Sequence, residues 1–259
     1  MIHDTKSPEP RTPLNALHAA LRGFMLATSF LTCLAPARAA SGADMAKAVR
    51  WYPLVGLLVG SVCVLPPALG IGAGHPFVQA WLYVLVNLMV TRGLHWDGIS
   101  DFMDAWGSSA TGEKFWNILK DSRIGAFGVM GIVLGMTGQL FAAASLLQGS
   151  DFTALIAAPI VGRSACIVLA ALVPPGERST LGRLTHAGAD RVTVGMALGM
   201  GTCALLLSGG IGTLLFAVAG CSGAVFWLAS LGKREQGLNG DFLGSGIVIC
   251  ETITLFAAL

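Results

Sequence analysis

The chain has 259 residues, of which 54% are apolar and only 12% charged, with a formal net charge of +2 and a mean hydropathy of +0.71. These values exclude a soluble globular domain and point to an integral membrane protein embedded in a lipid bilayer. The charge is too small and its carriers too dispersed for a nucleic-acid surface, so no nucleic-acid partner is expected. The six cysteines form no C-x-x-C pair, which argues against a disulfide framework or a zinc site.

A polar, Pro-containing stretch opens the chain, and a moderately apolar segment follows from Leu14 to Pro36. Ala37-Arg38-Ala39 imitates a signal-peptidase site, but the long polar lead, Pro36 and Arg38 favour an uncleaved interfacial or half-spanning helix. A charged connector completes this N-terminal cytoplasmic or interfacial segment, residues 1–50. The run from Trp51 to Ile71 is long enough to span, with Pro66-Pro67 bending its far end. Pro76 opens a second run, and nothing between Phe77 and Trp106 breaks a helix except isolated glycines. A helix of about 30 residues reaches about 45 Å against a hydrocarbon core of about 30 Å, so its end is expected to protrude.

From Gly107 to Gly125 the sequence is amphiphilic, and Phe115, Trp116, Ile118 and Leu119 are expected to form a membrane-surface face. Further apolar runs cover 127–147, 153–173, 192–208, 212–231 and 242–258. Connectors near 72–76, 148–152 and 209–211 carry no Lys or Arg, whereas the N-terminal region and those near 36–50, 93–126, 174–191 and 232–241 carry nearly all of them. That positive-inside pattern requires about seven spans with every charged connector on the cytoplasmic side. The expected fold is an all-α polytopic membrane helix bundle, with these spans plus an N-terminal interfacial helix. It forms a single integral membrane domain over 1–259, with an aspartate-rich cytoplasmic active-site segment at 93–126.

Within that segment, Asp97, Asp101 and Asp104 stand at i, i+4 and i+7 on one helix face, neighbours about 5–6 Å apart. Two unit charges 6 Å apart at an effective dielectric of about 20 repel by roughly 3 kcal/mol, and no basic residue is interleaved to relieve it. Late in a helix the macrodipole disfavours them further. A solvated loop explains any single acid; three on one face point to a divalent cation, and hard oxygen donors suit Mg²⁺ or Mn²⁺ better than Zn²⁺. His95 lies about 160° around the helix from Asp97 and is a substrate contact or packing residue before it is a ligand.

Lys120-Asp121-Ser122-Arg123 places an acid, a hydroxyl and a guanidinium before the next span. Arg123 either neutralises a phosphate or anchors the positive side; Asp121 adds a fourth metal oxygen or holds Arg123. Two charges fall within spans, Arg163 and Glu251. Each costs roughly 2.5–3.5 kcal/mol at the bilayer centre, so they either pair with each other or leave Arg163 facing a cytoplasmic cavity as a second phosphate group. Arg178, Arg183 and His186 add positive charge on the same side. Asn239-Gly240-Asp241 opens the last span; an N-cap at Asp241 is the simplest reading, and a metal or phosphate role requires folding to bring it beside Asp101.

These residues together resemble the cobalamin synthase family. The resemblance rests on Ser29-Phe30-Leu31-Thr32, Tyr52-Pro53-Leu54-Val55-Gly56, the stretch Gly93 to Asp101 with Asp104, and Lys120 to Gly125 with Gly128. Arg163, Asn239-Gly240-Asp241 and Glu251 complete it. Departures stand at Cys33, Ala35, Trp96 and Asn239. The resemblance implies a multi-pass enzyme of the bacterial inner membrane with its site facing the cytoplasm. Its reaction is a Mg²⁺-dependent attack by α-ribazole, or its 5′-phosphate, on adenosylcobinamide-GDP with release of GMP. The metal is then held by Asp97, Asp101, Asp104 and Asp121. Substrate contacts fall to Ser122, Arg123, Arg163, Asn239 and Asp241, and the proton acceptor is one of the aspartates, Asp104 among them, or His95. A homo-oligomer or a complex with other cobalamin-assembly enzymes is compatible with it.

Other readings stay open. Gly93-x-x-x-Asp97-x-x-x-Asp101 matches half of the CDP-alcohol phosphotransferase motif, whose upstream half is missing. Aspartate-rich prenyltransferases carry two acidic motifs where this chain has one clear cluster. A transporter explains Arg163 and Glu251 but not acids gathered beyond the membrane edge.

Overall fold

A computed structural model describes residues 13–177 and 179–259. Arg178, expected among the positive charges of its loop, lies outside the described residues. Among these residues the chain is helical throughout: α1 (Pro13–Leu31), α2 (Gly42–Ala48), α3 (Tyr52–Cys63), α4 (Leu65–Ala68), α5 (Pro76–Thr91) and α6 (Leu94–Gly107). Then come α7 (Glu113–Leu119), α8 (Ala126–Gln148), α9 (Thr153–Leu172), α10 (Thr180–Gly188), α11 (Arg191–Arg234) and α12 (Gly240–Ala257).

The centre of the bundle is α9, whose Ala-rich surface lets α3, α11 and α12 approach closely. By length and composition α8, α9, α11 and α12 can cross a membrane, and a fifth crossing counts if α5 and α6 are taken together. Of the other expected spans, α3 has only 12 residues and α5 has 16. Each expected apolar run is nevertheless helical. The runs at 192–208 and 212–231 are the arms of α11, which turns where Gly209 and Gly210 leave helical geometry. Leu205 and Ala217, on either side of that turn, both pack against Val161 of α9.

One expectation fails at α5 and α6. The helix does not run on from Phe77 to Trp106: Arg92 and Gly93 both adopt left-handed backbone (φ 55° and 67°), and α6 leaves α5 at 91°. The Arg92 amide closes onto the Leu88 and Met89 carbonyls and the Gly93 amide onto Leu88. This is the hydrogen bonding of a left-handed helix stop. The acids therefore do not ride on a protruding rod. They lie on a helix set across the direction of α5, outside the spanning helices, and α6 packs onto the start of α12. At that crossing a Cβ on Gly98 would stand 3.1 Å from the Asp241 Cα.

The segment after α6 also differs from expectation. Phe115 and Leu119 of α7 are buried rather than spread on a membrane surface; Phe115 packs against Phe242, and the Trp116 indole donates to the Glu235 carbonyl at 2.9 Å. The N-terminal helix belongs to the same body, with Ala27 and Leu31 in the main core.

The charged connectors gather at one end. His186, before α11, donates from Nδ1 to the Ala170 carbonyl near the end of α9 at 2.7 Å, and Pro175 bridges Leu238 beyond α11. The start of α8 meets α6 at Asp104. The turns at 148–152 and 209–210, which carry no Lys or Arg, lie at the far ends of those helices.

Candidate active site

The three aspartates of α6 share a face but not a task. Asp104 is committed to protein: its carboxylate accepts from the backbone amides of Gly125 (2.7 Å) and Gly128 (2.8 Å), caps that satisfy donors at the start of α8. A Cβ on Gly128 would collide with Asp104 and Ser100, so the close approach of the two helices depends on that glycine. Asp97 and Asp101 have no such donors. Among the described residues neither carboxylate has a hydrogen-bond or ion-pair partner.

Both line a cleft of about 630 Å³ with Ser100, Ser122 and Arg92 over an apolar floor that includes Leu88 and Met136. Burial, then the charges of Asp241, Asp97 and Asp104, push the Asp101 carboxyl up to about 7. The nearness of Asp241 was not legible in the linear spacing. Asn239, not Asp241, is the N-cap of α12: its Oδ1 accepts from the Phe242 amide at 3.2 Å while its Nδ2 donates to Asp241 at 2.6 Å. That cap frees Asp241 to face the α6 acids.

Other expected site residues lie elsewhere. Asp121 grips Arg123 at 2.6 Å, and the guanidinium, 87% exposed, turns to solvent. That contact holds the Asp121 carboxyl well below the usual carboxylate range. Asp121 thus holds Arg123 rather than joining the acids, while Ser122 between them does reach the cleft. Arg163 is fully buried and ion-paired with Glu251, joining α9 to α12; it cannot meet a phosphate in the cleft. His95, 4% exposed, sits 3.3 Å from the Arg163 guanidinium. An Arg only donates, so His95 Nε2 accepts and the ring is tied to this internal pair. It also lines a smaller pocket with Asp97 and Asp241, with its Nε2 turned to Arg163.

The expected fourfold metal set is accordingly not assembled: among the described residues no three His, Cys, Asp or Glu side chains are grouped to hold an ion. The chemistry of the two free carboxylates still fits Mg²⁺, which commonly takes one or two protein carboxylates and completes its shell with water and phosphate oxygens. Arg92 is the cleft residue that the linear pattern missed. The signal that could have found it is its place beside Gly93, one of two glycines in the run of helix-compatible sequence.

The chain matches the family described as cobalamin-5-phosphate synthase over residues 23–259. It is 60% identical over 242 residues to the adenosylcobinamide-GDP ribazoletransferase of Nitratidesulfovibrio vulgaris strain Hildenborough, covering 93% of this chain and 97% of that protein. The same enzyme of strain Miyazaki F is 55% identical over 94% of this chain and 97% of its own length. That of Chlorobaculum tepidum is 29% identical over 92% and 96%. No solved structure matches.

Proposed function

Since the chain belongs to the cobalamin-5-phosphate synthase family, we propose that it is an adenosylcobinamide-GDP ribazoletransferase working in the cleft beside Asp97 and Asp101. The observation that carries the site assignment is the pair of solvent-facing carboxylates left without partners in a fold that pairs its buried charges. In the proposed reaction a hydroxyl of α-ribazole, or of its 5′-phosphate, attacks the cobinamide-side phosphorus of adenosylcobinamide-GDP. A new P–O bond forms as the bond from that phosphorus to the bridging oxygen breaks, and GMP leaves.

Asp97 and Asp101 would hold Mg²⁺ against the diphosphate, and the ion would supply charge neutralisation there. Phosphoryl transfer of this kind depends mainly on positioning and electrostatics. Ser100 and Ser122 offer hydroxyls to substrate oxygens, and the apolar floor of the cleft excludes water from one side. Asp104 and His95 are committed elsewhere, so the proton of the attacking hydroxyl falls to one of Asp97, Asp101 and Asp241. The collection of Lys and Arg at the end bearing the cleft supports a cytoplasmic orientation in the cell inner membrane, within reach of soluble nucleotides.

Purified protein in lipid, given adenosylcobinamide-GDP, α-ribazole and Mg²⁺, is expected to release GMP and form the joined corrinoid in equal amounts. Well-folded protein that releases no GMP but carries substrate into vesicles would overturn the reading in favour of transport.

A further inference from the structure

Arg92 has no role in the reading above, yet three observations set it apart. It is one of four non-glycine residues with positive φ among the described residues (φ 55°), a conformation that costs an ordinary side chain stability and that glycine adopts freely. It is exposed, and its side chain makes one long contact, 3.4 Å to the Phe30 carbonyl, with no carboxylate partner. It is the only Lys or Arg among the described residues lining the cleft that holds Asp97 and Asp101. The other arginines expected to meet phosphate are spent, Arg123 on Asp121 and Arg163 on Glu251.

Resting on the proposed transferase reading, we propose that Arg92 is the diphosphate-binding residue of the cleft, its guanidinium taking non-bridging phosphate oxygens on the side facing away from the acids. The cleft is then divided by charge. Carboxylates face a cation on one wall and a guanidinium faces phosphate oxygens on the other, which matches a Mg²⁺–diphosphate ester better than either ion alone. Arg suits this because its planar fork binds two phosphate oxygens at once. The elbow between α5 and α6 sets this up: the helix stop puts Arg92 in the same cleft as Asp97, in the first turn of α6.

Arg92→Gly is an unusually clean test, because glycine is the residue this backbone prefers and the variant is expected to melt no lower than the wild type. Its KM for adenosylcobinamide-GDP should rise about tenfold or more while KM for α-ribazole stays within about twofold, and Arg92→Lys should recover part of the loss. Independently of turnover, Mg²⁺ with inorganic pyrophosphate should raise the melting temperature of the wild-type protein and not that of Arg92→Gly. An equal pyrophosphate shift in the two proteins, or none in the wild type, would overturn the assignment. So would a lower melting point with both KM values raised and no rescue by lysine, which would make Arg92 a tie to Phe30. Failure of wild-type GMP release alongside an Arg92-dependent pyrophosphate shift would instead sink the transferase reading and leave the binding site standing.

Discussion

The two faces of α6 carry opposite solutions to the same problem. On the inner face His95 meets Arg163, and Arg163 meets Glu251, so every charge brought into the bundle arrives with its counter-charge. On the outer face Asp97 and Asp101 stand at a cleft with their repulsion unrelieved, Asp101 pushed up to about 7 by burial and by its acidic neighbours. Charge neutralised within the chain builds the fold; charge left for something outside the chain marks the site. Asp104 shows that the distinction is not one of sequence position, because it shares the outer face and is neutralised by the amides at the start of α8.

The contrast can be broken at several points. The largest effect on turnover is expected from Asp97→Asn and Asp101→Asn, which should each cut GMP release by about 10²–10³-fold or more while leaving the protein folded, as for loss of a principal electrostatic group. Circular dichroism and melting in detergent check the second half of that statement. Glu251→Ala should do the reverse: it strands Arg163 in the core and should lower stability by about 3–5 kcal/mol, with activity lost in step with folded protein. Asp104→Asn removes the charge from two hydrogen bonds to backbone amides and should cost about 1–2 kcal/mol, read as a lower melting temperature.

The pH dependence sharpens the outer face alone. Burial and its acidic neighbours push the folded Asp101 carboxyl up to about 7, well above the usual carboxylate range, so the folded state binds that proton more tightly and protonation favours folding. Metal-free protein should therefore gain stability as pH falls from about 8 towards 5, and Asp101→Asn should reduce that gain by its own share. The smallest effect belongs to the solvent-facing pair: Arg123→Ala should change stability by less than about 1 kcal/mol, the usual worth of an exposed ion pair. A large loss of activity there would return Arg123 to the cleft.

The helices, their apolar runs and the gathering of positive connectors at one end were legible because hydropathy and Lys/Arg placement act over whole segments. The bend at Arg92–Gly93 was not, since a lone glycine inside helix-compatible sequence is usually tolerated, and here the stop depends on Arg92 itself entering left-handed backbone. The acidic face was legible from spacing; which acids remain free was not. That is decided by the amides of Gly125 and Gly128, more than 20 residues beyond Asp104, and by Asn239 capping α12 so that Asp241 turns toward Asp101. The pairing of Arg163 with Glu251 was anticipated by the cost of burying either alone. The attachment of His95 to it was not, because it depends on how α6 sits against α9.

The most direct measurement is Mn²⁺ binding, followed by its electron paramagnetic resonance signal, to reconstituted wild-type, Asp97→Asn and Glu251→Gln proteins in the presence of inorganic pyrophosphate. Saturable binding by the wild type, lost in Asp97→Asn and kept by whatever Glu251→Gln protein remains folded, is the expected result. Equal binding by wild type and Asp97→Asn would contradict the claim that the unpartnered acids of α6 are the cation site.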